Sequence, residues 1–147
     1  MSHIKMHGSL VMYHGAGVLI TGASGSGKSD LALRLIHEGG QLVSDDQVMI
    51  SKTDLGLVAT APQYIRGLLE IRGIGVIRME TAPQGKVDLV VSLMDDLNEM
   101  ERMPVPQTQT ICDIDVPKWD LYPFEASATA KVKKIVDLWA KPDDLMG

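Results

Sequence analysis

The eight residues 22–29 constrain the fold of this chain more than any other stretch. They read Gly-Ala-Ser-Gly-Ser-Gly-Lys-Ser and fit the pattern G-x-x-x-x-G-K-[ST]. An apolar run at 18–20 precedes them, and apolar residues at helical spacing follow, so the motif lies between a predicted buried strand and a predicted helix. In that setting, backbone N–H groups and a helix N-terminus bind phosphate oxygens. The motif therefore predicts that the chain binds a nucleoside triphosphate.

Each residue of the motif is a candidate for nucleotide binding. Lys28 is expected to reach the β- and γ-phosphates of ATP, and the Ser29 hydroxyl is expected to ligate Mg²⁺. The predicted binding set is Gly22, Ala23, Ser24, Gly25, Ser26, Gly27, Lys28 and Ser29.

Composition narrows the class of protein. With 147 residues, 45% of them hydrophobic and 22% charged, the chain is predicted to form one soluble domain over residues 1–147. A net charge of −5 and scattered basic residues argue against a nucleic-acid partner. No run of about 18 apolar residues is present, so no membrane span is predicted. The single cysteine, Cys112, fits a cytoplasmic location and is assigned to a strand.

Hydrophobic periodicity and turn residues predict a strand-rich chain. Strands are predicted at 3–12, 18–21, 48–51, 57–59, 87–94 and 108–114, a helical turn at 62–69, a loop or bulged strand at 70–76, and helices at 28–38 and 127–139. Ser127 is the predicted N-cap of the last helix, and Trp139 is placed on its buried stripe. Because few helices alternate with the strands, much of the sheet is predicted to be antiparallel. The predicted fold class is α/β, a P-loop nucleotide-binding core on a strand-rich mixed sheet.

Carboxylates near the motif are the candidates for metal binding and catalysis. Asp45 and Asp46 follow a short apolar segment, where an aspartate resembles a Walker B position. Successive side chains of an extended segment point to opposite faces, so one aspartate of the pair is expected to face the phosphates. The alternative is that the pair caps a tight turn. The second pair, at 95–96, lies in an acidic stretch that favours a solvated loop.

Two further residues are candidates from their surroundings. Glu70 lies among glycines, where a backbone approaches a ligand closely, and could complete a Mg²⁺ shell or form a surface ion pair. His7 precedes a glycine on the first predicted strand and, taken alone, is more often structural.

These segments together resemble the HPr kinase/phosphorylase family, bacterial enzymes that phosphorylate a serine of the phosphocarrier protein HPr. The resemblance rests on residues 6–8, 17–29, 42–46, 68–75 and 116–118. The Leu-Glu-Ile-Arg-Gly stretch at 69–73 is its most specific part.

The resemblance implies a function and assigns roles. It implies an ATP- and Mg²⁺-dependent serine kinase of the phosphotransferase system, acting on an HPr-type carrier and often assembled as a homo-oligomer, in the family a hexamer. His7 matches the active-site histidine, and Lys28 matches the phosphate-binding lysine. Asp46, rather than Asp45, matches the catalytic aspartate that acts as base toward the serine. Ser29 and Glu70 match the Mg²⁺ ligands. The family fold is similar to the P-loop core of phosphoenolpyruvate carboxykinase.

The chain departs from the family pattern in two regions. It begins almost at His7 and resembles a short form without the N-terminal domain of longer relatives. Residues 123–129 hold no arginine where the family carries Gly-Arg-Asn, and the Asn-Phe-Arg segment that follows in the family has no counterpart before Lys131. Because an arginine clamp stabilises transition-state charge, the reverse reaction with inorganic phosphate is expected to be impaired. The alternatives are a P-loop kinase for a small metabolite and a non-catalytic ATP-sensing regulator.

Overall fold

The computed structural model describes residues 3–146 and is a strand-rich α/β fold. Its strands are β1 His3–His7, β2 Ser9–Tyr13, β3 Ala16–Thr21, β4 Gln41–Ser44, β5 Gln47–Thr53, β6 Gly56–Thr60, β7 Leu68–Ile71, β8 Gly75–Arg78, β9 Gly85–Lys86, β10 Leu89–Leu93, β11 Gln107–Ile111 and β12 Ile114–Leu121. Its α-helices are α1 Lys28–His37 and α2 Ala128–Ala140, and short 3₁₀ turns occupy Gln63–Ile65, Leu97–Glu99 and Pro142–Asp144. No helix within residues 3–146 is both long and apolar enough to cross a membrane.

A six-stranded mixed sheet forms the centre of the molecule. Its strand order is β11-β12-β10-β3-β2-β4. Strands β3, β10 and β12 run parallel, while β2 is antiparallel to both of its neighbours, β3 and β4. Strand β4 therefore runs in the same direction as β3. The expectation of much antiparallel pairing is confirmed, with a parallel centre that the sequence pattern did not predict.

The two faces of this sheet bury two different apolar clusters. Residues such as Val18 and Ile20 belong to the cluster that includes Leu31 and Leu35 of α1 and residues of α2. Leu19, between them in the sequence, belongs to the opposite cluster with residues of β5 and β6. Because side chains alternate along a strand, a strand buried on both faces reads as a continuous apolar run. The molecule is thus layered as helices, large sheet and small sheet.

The small sheet and a hairpin complete the fold. The small sheet has the order β1-β5-β6-β9, and the predicted hairpin of β5 and β6 is confirmed with an antiparallel register. Within residues 3–146, strands β7 and β8 pair with no strand but each other, and β7 contacts α1. The segment predicted as a loop or bulged strand is therefore part of a hairpin, and the helical turn predicted over 62–69 is limited to Gln63–Ile65.

Several predicted boundaries are wrong for identifiable reasons. The strand predicted over 3–12 is two strands in different sheets, separated at Gly8. The strand predicted over 108–114 is a hairpin, because Cys112 and Asp113 both have positive φ, at 47° and 66°, and form its turn. Ser127 does precede α2, but its side chain makes no capping hydrogen bond. Trp139 is 36% exposed rather than buried.

A buried tyrosine links the large sheet to the end of α1. Tyr13 is 3% exposed, and its hydroxyl donates to Glu38 Oε2 at 3.0 Å. Burial, and then the Glu38 carboxylate, raise the pKa of Tyr13 from 10.0 to about 12. A tyrosine whose pKa is higher in the folded than in the unfolded chain stabilises the fold below pH 10, and this contribution disappears as pH rises from 10 to 12.

We expect Tyr13→Phe to weaken the alkaline dependence of stability. Between pH 10 and 12 the wild type should lose on the order of 2 kcal/mol more of its free energy of unfolding than the variant. Urea unfolding at a series of pH values measures this difference. Parallel decline of the two proteins over that range would show that Tyr13 titrates as it does in the unfolded chain.

Candidate active site

One edge of the large sheet gathers the ends of several strands. Because β3, β4, β10 and β12 run in the same direction, their carboxyl ends lie at one edge, which we call the carboxyl edge. The antiparallel β2 begins at this edge, since Ser9 pairs with Ile20 near the end of β3. In open α/β sheets, ligands bind outside the carboxyl ends of strands.

The glycine-rich loop, residues 22–27, connects β3 to α1 at the carboxyl edge. Gly25 and Gly27 have φ of 80° and 102°, which glycine adopts without a Cβ penalty. The turn is closed by a bond from Ser26 N–H to the Ala23 carbonyl oxygen at 3.0 Å. The predicted strand, loop and helix are therefore present in that order, with α1 beginning at Lys28.

Lys28 is a buried cation at the start of α1. Its side chain is 8% exposed, and Nζ donates to the carbonyl oxygens of Gly22 and Ala23 at 3.0 and 3.1 Å. Within residues 3–146 no carboxylate lies at ion-pair distance from this ammonium. A buried charge is costly unless it is paired. The loop therefore presents a positive charge, next to a helix N-terminus, that an anionic group would complement.

Asp45 is the aspartate of the pair that faces α1. It is 6% exposed, and its carboxylate accepts hydrogen bonds from the Ser29 hydroxyl at 2.8 and 3.0 Å and from the Ser9 hydroxyl at 2.8 Å. Ser29 thus lies beside a buried carboxylate. Hydroxyl and carboxylate oxygens are hard ligands of the kind that Mg²⁺ prefers, usually together with substrate phosphates and water. The donor set at Ser29 and Asp45 fits such an ion.

Within residues 3–146 the Asp46 carboxylate makes no hydrogen bond to this cluster, and the chain turns at this residue. It is exposed and has φ of 70°, a left-handed conformation that Asp and Asn tolerate better than most residues. Its backbone N–H donates to Ser9 Oγ at 3.2 Å, and its carbonyl accepts from Gly8 N–H at 2.9 Å. His7, also exposed, precedes Gly8 and pairs with Gln47 in the small sheet. The structure therefore brings His7 and Asp46 to one corner.

The remaining acidic candidates are not joined to this cluster by contacts. Glu70 is exposed on β7 and pairs with Val76 across the hairpin. No hydrogen bond or ion pair within the described chain links it to Ser29. Asp96 accepts a bond from the Asn98 N–H at 2.9 Å, and Asp95 is exposed, which agrees with a solvated acidic loop. Throughout residues 3–146 no group of three or more His, Cys, Asp or Glu residues is arranged to hold a metal on its own.

The segment that follows β12, which we call the crossing segment, contacts the glycine-rich loop at Gly27. A Cβ placed on Gly27 would lie 3.3 Å from two ring atoms of Phe124 and 3.6 Å from Pro123. Arg34 of α1 donates to the Pro123 carbonyl oxygen at 2.7 Å and pairs with Asp30 at 3.1 Å. Helix α1 therefore carries the lysine and serine of the motif and also anchors the crossing segment.

We expect Gly27→Ala to destabilise the fold more than Gly25→Ala. Both substitutions place alanine at positive φ, which costs about 1–3 kcal/mol. At Gly27 the added Cβ would also lie 3.3 Å from the Phe124 ring. At Gly25 nothing lies within 4 Å of the added Cβ. Urea unfolding of both variants measures the difference. Equal losses of free energy would show that the ring contact adds no strain.

The predictions from sequence did not include three residues that lie at the carboxyl edge. Ser9 binds both the Asp45 carboxylate and the Asp46 N–H, but nothing in its local sequence indicates this role. Phe124 and Arg34 were missed because the strand over 114–121 was not predicted. The available signal was weak, because apolar residues alternate over Ile114–Val116 and again over Trp119–Leu121 but change face at Pro117-Lys118.

The fold and the site define a class of protein. It is a mixed α/β protein whose strand, glycine-rich loop and helix place a buried lysine and a serine–aspartate contact at the carboxyl edge of its central sheet. The chain belongs to the family described as the HPr Serine kinase C-terminal domain, which matches residues 1–142. The family resemblance inferred from the sequence is confirmed.

Individual relatives agree with the family. The chain is 44% identical over 126 residues to the HPr kinase/phosphorylase of Listeria welshimeri, covering 78% of this chain and 40% of that protein. It is 45% identical over 123 residues to the HPr kinase/phosphorylase of Exiguobacterium sibiricum, covering 76% and 40%. The chain thus spans about 40% of the length of these curated relatives. The solved Hpr(Ser) kinase/phosphatase of Coxiella burnetii superposes with a TM-score of 0.84 at 28% identity, over 96% of this chain and 93% of that one.

Proposed function

We propose that this chain is a single catalytic domain that transfers the γ-phosphoryl group of ATP to a serine of an HPr-type phosphocarrier. The observation that carries the proposal is the buried Lys28 ammonium next to the Ser29–Asp45 contact; among residues 3–146 its hydrogen-bond partners are two carbonyl oxygens. Family membership supplies the acceptor class, because the relatives are named for action on HPr. The finer fold assignment, a P-loop core like that of phosphoenolpyruvate carboxykinase, belongs to the same proposal.

The chain's own residues divide the reaction between them. Backbone N–H groups of the glycine-rich loop and the Lys28 ammonium bind the phosphates and neutralise their charge. Ser29, with Asp45 as partner or co-ligand and Glu70 as the second predicted ligand, would hold Mg²⁺. When bound, this ion neutralises charge on the β- and γ-phosphates.

Asp46 provides the base in this proposal. It is exposed at the carboxyl edge, so a serine presented by a protein can reach it. Its backbone is held on both sides by Ser9 and Gly8. As the acceptor oxygen bonds to phosphorus and ADP leaves, Asp46 takes the hydroxyl proton. His7, bonded next to Gly8, lies on the same corner and is proposed as a further active-site residue.

The experiment is phosphate transfer from γ-labelled ATP to a purified HPr-type carrier with Mg²⁺. We expect label on a serine of the carrier. Adding inorganic phosphate afterwards tests the reverse reaction, which is not part of the proposal because residues 123–129 hold no arginine. Mg-ATP binding without transfer to any HPr-type protein would favour a nucleotide sensor, and metabolite-dependent turnover would favour a small-molecule kinase. The expected state is a cytoplasmic homo-oligomer, and light scattering of the purified protein measures the size of the assembly.

A further inference from the structure

Phe124 is an exposed aromatic ring in contact with the glycine-rich loop. It is the single phenylalanine of the chain and is 58% exposed, although Pro123 and Leu121 beside it are buried. Single exposed apolar residues are common on protein surfaces and need no explanation by themselves. This one differs because its ring lies against Gly27, the residue that immediately precedes Lys28.

The position of this ring is held from several sides. Tyr122 meets it edge-on, with ring centroids 5.5 Å apart and planes at 79°. Arg34 holds the adjoining Pro123 carbonyl at 2.7 Å. Five residues after Phe124, Thr129 of α2 donates to Glu38 at 3.1 Å. An aromatic ring that is already fixed in place loses little entropy when a ligand stacks on it.

The strand order places this ring beside the loop rather than behind it. Strand β12, which precedes Phe124, is separated from β3 by β10 alone, and all three end at the carboxyl edge. The loop presents backbone and small side chains, which suit phosphates but offer no flat surface. The segment after β12 supplies that surface within the same edge.

We propose that Phe124 is the base-binding residue of this site, and that its exposed ring stacks on the purine base of a nucleotide whose phosphates occupy the glycine-rich loop. This rests on the proposed function, since it takes the loop as the phosphate site. Stacking uses the π-face of the base and needs no hydrogen bond, so a larger purine should bind better than a pyrimidine. Phe124 thereby contributes to affinity for the nucleotide and to its selection.

The test compares ATP with inorganic tripolyphosphate, which carries the phosphates without the base. Binding of each, with Mg²⁺, is measured by calorimetry for wild type, Phe124→Ala, Phe124→Leu and Phe124→Tyr. ATP should bind about tenfold more weakly to the alanine and leucine variants and normally to the tyrosine variant. Tripolyphosphate should bind equally to all four. Leu55→Ala, which removes an exposed side chain (78% exposed) from the β5–β6 turn, is the matched control.

Other results would overturn the proposal in distinguishable ways. Equal affinity of ATP for wild type and Phe124→Ala would exclude stacking. If the KM of Phe124→Ala for the protein acceptor were then raised, Phe124 would be a docking residue for that acceptor. Equal weakening of ATP and tripolyphosphate would mean that the ring only shapes the loop. If wild type bound neither compound, the proposed function would fail together with this inference. The ring is largely exposed, so the variants should fold, which their unfolding midpoints verify.

Discussion

Lys28→Met should abolish phosphate transfer while leaving the protein folded. Lys28 is 8% exposed and its ammonium has two carbonyl partners, so methionine, which has similar length and no charge, fits the space. Removing a preorganised positive group from a site of developing negative charge typically costs about 10²–10³ in rate. We expect a loss of at least this size, because in the proposed mechanism the same charge also binds the phosphates of ATP.

The measurement is initial-rate labelling of the carrier by γ-labelled ATP, with ATP affinity determined by calorimetry. Lys52→Met, at an exposed position of the small sheet, is the control for loss of a lysine. The unfolding free energy of Lys28→Met should fall by only about 1 kcal/mol, since the Gly22 and Ala23 carbonyls lose one donor. Transfer within about tenfold of wild type would contradict the role given to this residue.

Asp46→Asn should remove transfer without weakening ATP binding. Asparagine tolerates the φ of 70° at this position, so the backbone corner is retained while the base is lost. Loss of a general base costs about 10²–10⁴ in rate. Asp46 is exposed, and its backbone hydrogen bonds go to Gly8 and Ser9 rather than to the glycine-rich loop. The affinity for ATP should therefore stay within about twofold of wild type, which is the usual effect of a single exposed substitution.

Asp45→Asn should be measured beside Asp46→Asn, because the two variants are expected to differ in Mg-ATP binding. Its carboxylate accepts from Ser29 and Ser9, so its removal should weaken Mg-ATP binding, an effect that Asp46→Asn lacks. Asp54→Asn, at the exposed β5–β6 turn, is the control. If Asp46→Asn transferred phosphate normally, the role of base given to Asp46 would be wrong. If Asp45→Asn then lost transfer even at saturating Mg-ATP, the base would have to be reassigned to Asp45.

The parts of the fold that local patterns determine were predicted well. The glycine-rich loop, helix α1 and the β5–β6 hairpin depend on residues near one another in the sequence. The hairpin at Cys112–Asp113 was missed because its turn contains neither glycine nor asparagine, the usual residues at positive φ. Gly8 interrupts two strands that otherwise read as one, and only pairing with distant strands separates them.

The sequence predicted which residue types form the site better than it predicted how those residues are arranged. Alternation along a strand indicated that one aspartate of the pair faces the loop, but it could not choose between them. The structure makes this choice: Asp45 accepts a hydrogen bond from Ser29, and the chain turns at Asp46 in a left-handed conformation. Ser9 and Phe124 depend on which strands share an edge, which is a property of topology and not of local sequence.

The corner formed by Gly8 and Asp46 has a mechanical consequence. At these two positions the chain passes between the small sheet and the large sheet, and a hydrogen bond of 2.9 Å joins the two passages. The corner is therefore the line along which the two sheets are joined. His7 belongs to the small sheet, Ser29 packs on the large sheet, and Asp46 lies on the joining line itself. A small rotation of one sheet against the other about this line would change the distance between His7 and the glycine-rich loop, and it would move Asp46, which lies on the line, much less.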